Sequence, residues 1–148
     1  MNTQKNTEQD IDKLNSFLRG ELSAVETYNQ AIEKLEDEPA IRQHLQMLRD
    51  SHAARVRQLS SRITSLGGRP DDSSGMWGGF AKLVEGGAKI FGKSAAVAAL
   101  EEGEDHGKRL YKDNVDELSP DTRAFIRSQI MPEQQRTHDA LSALQHRV

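Results

Sequence analysis

Hydrophobic side chains in the first half of the chain recur at spacings of three and four residues, which is the period of one face of an α-helix. The stripes predict a first helix over residues 10–36 and a second over residues 40–66. Pro39 interrupts the pattern between the two, and Gly67 and Gly68 end the second stripe. Two long helices joined by so short a connection are expected to be antiparallel neighbours.

The second half of the chain predicts a matching pair of helices over residues 94–118 and 120–146. Pro132 lies inside the last stripe and predicts a kink or a restart there. Residues 69–93 are rich in glycine and predict a long crossover between the two pairs. The chain is therefore expected to form a single domain over residues 1–148, an all-α antiparallel four-helix bundle of two helical hairpins.

Composition supports a helical protein and narrows its chemistry. Aromatic residues make up 5% of the 148 residues, which is few for a β-sandwich core, and one domain is expected at this length. The chain has no cysteine, so histidine and carboxylates are the metal ligands that remain. Its 20 basic and 23 acidic residues are mixed along the chain, and no basic stripe predicts binding to nucleic acid.

Two segments bear on location and partners. The stretch from Met1 to Lys13 is polar, and no run reaches the roughly 20 apolar residues that cross a bilayer. We therefore expect no transmembrane segment and a cytoplasmic location. The crossover from Trp77 to Phe91 is expected either to cover the bundle or to form an exposed patch that binds a membrane surface or a second subunit, giving a homodimer.

A repeat shared by the two hairpins carries the candidate chemistry. Glu21 and Glu104 each stand on an apolar stripe and are followed three positions later by a small residue. Tyr28 and Tyr111 follow the same glutamates seven positions later, on the same helical face. Because a buried phenol needs a hydrogen-bonding partner, each tyrosine is expected to reach across to the site.

Each hairpin also places one histidine on its second helix. His52 and His138 stand on the apolar stripes, about 31 and 34 residues after the respective glutamates. A buried carboxylate without a partner costs several kcal/mol, so these four groups together need a compensating charge. A metal ion held by Glu21, His52, Glu104 and His138 supplies that charge, and this set of nitrogen and oxygen ligands suits iron, manganese or zinc.

The pattern resembles the ferritin-like superfamily, and especially its rubrerythrin-like arrangement of a Glu-x-x-Ala-x-x-x-Tyr helix paired with a Glu-x-x-His helix, repeated twice. The likeness covers about residues 14–144 and is similar to a bacterial branch of ferritin-like four-helix proteins of unknown function. It implies the bundle fold and a core site for iron, in a stress or storage setting. In the di-iron members a bridging Glu precedes each histidine by three positions, where this chain has Arg49 and Gln135.

Two functions stay open on these residues. The first is a metal-binding protein in which Tyr28 and Tyr111 support the ligands, Arg49 and Gln135 lie beside them, and any enzymatic activity is of the oxidase or peroxidase type. The second is a metal-free helical bundle with a structural or interaction role, in which Arg49 neutralises a glutamate directly. The missing bridging carboxylates favour the second function, and the repeated Glu and His positions favour the first.

Overall fold

The computed structural model describes residues 3–74 and 92–148, and every regular element within these ranges is helical. In chain order the elements are α1 Thr3–Lys34, α2 Pro39–Ser65, α3 Lys93–Asn114, a 3₁₀ turn Val115–Glu117, α4 Pro120–Phe125, a π-helical turn Ile126–Ile130 and α5 Met131–Gln145. α4, the π-helical turn and α5 follow one another directly and form the fourth helix of the bundle. The predicted all-α four-helix bundle is confirmed.

The helices pair as two hairpins. α1 packs mainly on α2, and α3 packs mainly on α5. α1 and α3 also contact each other and so join the two hairpins, whereas α2 and α5 share only a sparse contact. The bundle is thus closed more tightly on its α1 and α3 side than on its α2 and α5 side.

Local sequence explains where α2 begins and ends. Pro39 stands at its first position, where the missing amide hydrogen would have had no helical acceptor. Its last turn is closed by hydrogen bonds from the amide of Gly67 to Thr64 (3.0 Å) and from the amide of Gly68 to Ile63 (2.9 Å). This closure requires a left-handed residue, and Gly67 supplies it with a φ of 87°.

The start of α1 differs from the predicted start, and the start of α5 locates the predicted restart of the fourth helix. α1 begins at Thr3, before the predicted start at residue 10, because the polar lead contains neither proline nor glycine and continues the helix beyond its apolar stripe. In the fourth helix, the π-helical turn ends at Ile130, two residues before Pro132, and a regular α-helix restarts at Met131. A wider turn there is consistent with the predicted restart, since proline cannot donate to the preceding turn.

Two apolar clusters fill the bundle and leave a polar layer between them. One cluster comprises Tyr28, Ala31, Ile32, Leu35, Ile41, Leu45, Ala96, Val97, Leu100, Leu141 and Leu144. The other comprises Leu14, Phe17, Leu18, Leu59, Ile63, Tyr111, Val115, Leu118, Ile126 and Ile130. The buried charged residues Glu21, His52, Arg55 and Glu104 lie along the helices between these two sets, so apolar packing at both ends keeps them from water.

The crossover is described only at its two ends. Its beginning is held against α1, because the side chain of Asn15 donates to the carbonyl of Arg69 (3.0 Å) and accepts from the amide of Asp71 (2.8 Å). Arg19 forms an ion pair with the same aspartate. The predicted patch from Trp77 to Phe91 lies outside the described residues, and the homodimer expected through it stays a prediction. No helix in the described ranges is long and apolar enough to cross a membrane.

A buried charge cluster as the candidate functional site

Four charged side chains from three helices meet in the polar layer of the bundle. Glu21 comes from α1, His52 and Arg55 from α2, and Glu104 from α3. Their exposed fractions are 3%, 4%, 0% and 3% respectively, so water cannot solvate any of these charges. We call these four residues the core charge cluster.

His52 lies between the two glutamates and contacts both. Its Nδ1 is 2.5 Å from Glu21 Oε1, and its Nε2 is 2.7 Å from Glu104 Oε2. An ionised carboxylate only accepts hydrogen bonds, so both ring nitrogens must carry a proton to donate. The two carboxylate contacts therefore favour the imidazolium form of His52.

The two tyrosines cap the glutamates in a crossed arrangement. Tyr28 of α1 donates from its hydroxyl to Glu104 Oε2 of α3 (2.5 Å), and Tyr111 of α3 donates to Glu21 Oε2 of α1 (2.6 Å). Each repeat unit thus supplies a carboxylate to the tyrosine of the other unit. These exchanged bonds link α1 to α3 at the level of the cluster.

Arg55 supplies the second positive charge. Its Nε lies 3.4 Å from Glu21 Oε1 as an ion pair. Its Nη2 lies 2.8 Å from His52 Nδ1, and this contact is not a hydrogen bond when Nδ1 carries the proton donated to Glu21. The same Nη2 donates to Thr137 Oγ1 of α5 (3.0 Å), whose hydroxyl in turn is 2.9 Å from Glu104 Oε1. Arg55 therefore contacts both sides of the cluster and ties α2 to α5.

The electrostatics of the cluster are internally balanced. Burial raises the pKa of the Glu104 carboxyl, but the charge and hydrogen bond of His52, with the Tyr28 hydrogen bond and the charge of Arg55, hold that pKa at about 2. Burial likewise opposes ionisation of Glu21, and Arg55 and His52 together keep its pKa below the ordinary value. Burial and Arg55 lower the pKa of His52, yet the two glutamates raise it overall. With two carboxylates, one guanidinium and one imidazolium, the net charge is zero.

The structure brings together only part of the predicted ligand set. Glu21, His52 and Glu104 meet in the cluster, whereas His138 lies outside it and has its Nε2 2.6 Å from Asp105 Oδ1. Thr137 occupies the position facing Glu104 instead. Thr137 stands four positions and His138 three positions before the buried Leu141, so both fit the helical spacing of the buried face. Hydrophobic spacing alone therefore does not tell which of the two faces the cluster.

The two other predicted neighbours of the site also lie elsewhere. Arg49 donates to Asn29 Oδ1 (3.1 Å) and pairs with Asp50, and Gln135 donates to Asp139 Oδ1 (2.8 Å). The neutralising arginine is Arg55, which sequence reasoning missed. The sequence does indicate that Arg55 is buried, because it stands three residues after His52 and four before the buried Leu59, on the same helical face.

A cleft between α1 and α3 reaches the cluster from one side. It encloses about 500 Å³ of empty space, including the part open to solvent, and Glu21, His52 and Glu104 are among its lining residues. Small residues line it where the two helices face each other: Gly20, Ser23, Ala24, Gly103 and Gly107. The small residues that follow each glutamate in the repeat therefore leave space beside the carboxylates.

The cluster does not fit a divalent metal ion in this arrangement. The two glutamates lie at opposite ring nitrogens of His52, so a cation on one nitrogen would reach only one of them. Within the described ranges, no group of three or more histidine or carboxylate side chains is arranged to hold a metal ion.

The fold and the site together define a four-helix bundle with a polar, charge-neutral core layer. Residues 9–117 match the family described as Domain of unknown function (DUF2383), and the chain belongs to this family. The matched residues include all four members of the core charge cluster, which lie on α1, α2 and α3. They do not include Thr137 on α5. No curated protein and no solved structure matches the chain.

Proposed function

We propose that this chain is a metal-free helical bundle of the ferritin-like type, with a structural or interaction role, in which Arg55 supplies the positive charge that the resemblance assigns to a metal ion. The observation that carries the proposal is the placement of Arg55. Its side chain is fully buried, its Nε pairs with Glu21, and its Nη2 reaches Thr137 beside Glu104. Arg55 and His52 together already balance both carboxylates.

The first test is the metal content of the purified protein after expression with iron, manganese and zinc supplied. We expect no stoichiometric metal, and no change in melting temperature when a chelator is added, because no bound ion would stabilise the folded state. One or two ions per chain that disappear in a Glu21→Ala, Glu104→Ala double variant would overturn the proposal.

A second test removes the internal cation. Arg55→Ala leaves Glu21 and Glu104 with one positive partner, and breaking a buried ion pair in this way costs about 3–5 kcal/mol. We expect added guanidinium ion or a divalent metal to raise the melting temperature of this variant and not that of the native chain. Arg57→Ala is the matched control, since Arg57 is exposed on the same helix. An equal response in both variants would show that Arg55 has no special role.

Metal binding is the second candidate function, and one observation favours it. Glu21, His52 and Glu104 converge in the middle of the bundle, and a cleft lined by small residues reaches them. In this alternative a metal ion displaces the Arg55 side chain and binds to one ring nitrogen of His52. Iron is the first choice for that ion, ahead of manganese and zinc. Oxidase or peroxidase chemistry would then belong to the bound ion. The metal analysis above separates the two candidates.

A further inference from the structure

Two buried nitrogens of Arg55, Nε and Nη1, make no hydrogen bond among the described residues. Nη2 donates to Thr137, and Nε lies 3.4 Å from Glu21 Oε1 as an ion pair, while Nη1 has no hydrogen-bond acceptor there. A buried donor without an acceptor costs about 1–3 kcal/mol, and more when the group is charged. The Arg55 guanidinium therefore has an unmet need for an oxygen acceptor.

Arg55 also lines a second cleft, on the opposite side of the bundle from the α1 and α3 cleft. It lies between α2 and the fourth helix and encloses about 780 Å³ of empty space, including the part open to solvent. We call it the α2–α5 cleft. It is open because α2 and α5 share little contact and because the π-helical turn Ile126–Ile130 widens the fourth helix beside it. π-helical turns are frequent at functional sites.

The other lining groups of this cleft are mostly hydrogen-bond donors or neutral amides. Ser51, Gln58 and Gln129 contribute a hydroxyl and two amides, and Arg136 contributes a second guanidinium. The single carboxylate of the lining, Glu133, is paired with Arg136 at 2.7 Å. The charges of Glu133 and Arg136 therefore cancel, and Arg55 is the lining residue whose guanidinium lacks hydrogen-bond acceptors.

We propose that the α2–α5 cleft binds a small oxyanion, a carboxylate or phosphate group, whose oxygen accepts from Nη1 of Arg55. Guanidinium groups make their strongest hydrogen bonds to charged oxygens, and the side-chain amides of Gln58 and Gln129 at the walls supply further donors. Since Arg55 is fully buried, binding requires that the side chains covering it move to admit the ligand. This site uses Arg55 of the core charge cluster, so it rests on the proposed metal-free state in which the Arg55 side chain stays in place.

The test titrates the intact protein with sodium acetate and with sodium phosphate, each against sodium chloride at equal ionic strength. We expect acetate or phosphate, but not chloride, to raise the melting temperature, by about 4 °C at about tenfold its Kd. The guanidinium nitrogen resonances of Arg55, followed by NMR, should shift in the same titration. A response to acetate alone identifies a carboxylate site, and a response to phosphate alone identifies a phosphate site.

A Ser51→Leu, Gln58→Leu double variant fills the cleft and leaves the core charge cluster in place. It should lose both the thermal response and the NMR shift, while Gln43→Leu, an exposed substitution on the same helix, should keep both. The proposal is wrong if neither anion exceeds chloride, which would leave water as the acceptor of Nη1, or if the double variant responds as the native chain does.

Discussion

Charge balance among single residues governs the middle of this bundle. Glu21 and Glu104 are ionised although both are buried, because His52 donates to both and Arg55 adds a second positive charge. Each ionised group depends on the protonation of the others, since removing one charge leaves an uncompensated charge in an apolar surrounding. His52 is the member of the cluster whose ordinary pKa, 6.5, lies nearest to neutral pH, and its surroundings raise that pKa.

The stability of the chain should therefore depend on pH in two directions. The pKa of His52 is raised above its ordinary value of 6.5, so its stabilising contribution is complete below pH 6.5 and is lost as pH rises through the folded-state pKa. The pKa of Glu104 is lowered from 4.5 to about 2, so its contribution is present above pH 4.5 and is lost as pH falls towards 2. We expect the highest melting temperature between pH 4.5 and 6.5.

Melting temperatures measured across this pH range for the native chain and for His52→Gln test the first direction. The variant should be less stable at acidic pH and should lose the decline on the alkaline side, because glutamine does not titrate. His44→Gln, an exposed histidine on α2, is the control and should follow the native curve. A native curve that is flat on the alkaline side would contradict the assignment of His52 as an imidazolium.

At the scale of elements, one helix start is capped by another helix. α4 begins after Ser119, whose side chain makes no capping hydrogen bond. Asp10 of α1 does this instead, since its carboxylate accepts from the amide of Ser119 (3.0 Å) and from the hydroxyl of Thr122 (2.8 Å). The fourth helix is thus positioned against α1 before the π-helical turn is reached.

Asp10→Ala should destabilise the protein by about 1–3 kcal/mol, because it leaves a helix amide and a buried hydroxyl without their acceptor. Chemical denaturation would measure the change. Asp12→Ala, an exposed carboxylate on the same helix, should stay within about 0.5 kcal/mol of the native chain. Equal losses in the two variants would mean that overall charge on α1, and not the cap, is responsible.

At the scale of the whole molecule, crossed hydrogen bonds join the two hairpins. Tyr28 and Glu21 belong to one hairpin, Tyr111 and Glu104 to the other, and each tyrosine donates to the glutamate of the opposite hairpin. His52 contacts both glutamates and couples the two bonds. The hairpins are therefore expected to unfold together and not one after the other.

A double-mutant cycle on the two tyrosines tests this coupling. Tyr28→Phe and Tyr111→Phe keep the rings in the core and should each cost about 1.5–3 kcal/mol, as expected for hydrogen bonds to charged groups. Because both bonds end in one connected network, the double variant should depart from additivity by at least about 0.5 kcal/mol. Thr64→Val, which removes an exposed hydroxyl on α2, is the control. Strict additivity would contradict the connected network.

The sequence by itself determined the helical bundle and the identity of most groups in its core layer. Apolar spacing of three and four residues fixes which face of each helix is buried, and Pro39, Gly67 and Pro132 mark local breaks whose causes act within a few residues. The glutamates of the repeat lie on those faces. Their position was accordingly predictable without any knowledge of their neighbours.

Only the tertiary structure decided which cation balances those glutamates. Spacing allows both Thr137 and His138, and the packing of α5 on α3 places Thr137 beside Glu104 and His138 beside Asp105. Spacing also allows Arg55, but an arginine on a buried face is favourable only when carboxylates from other helices surround it. Contacts between helices set this charge balance. The sequence of one helix does not reveal which side chains of another helix will lie against it.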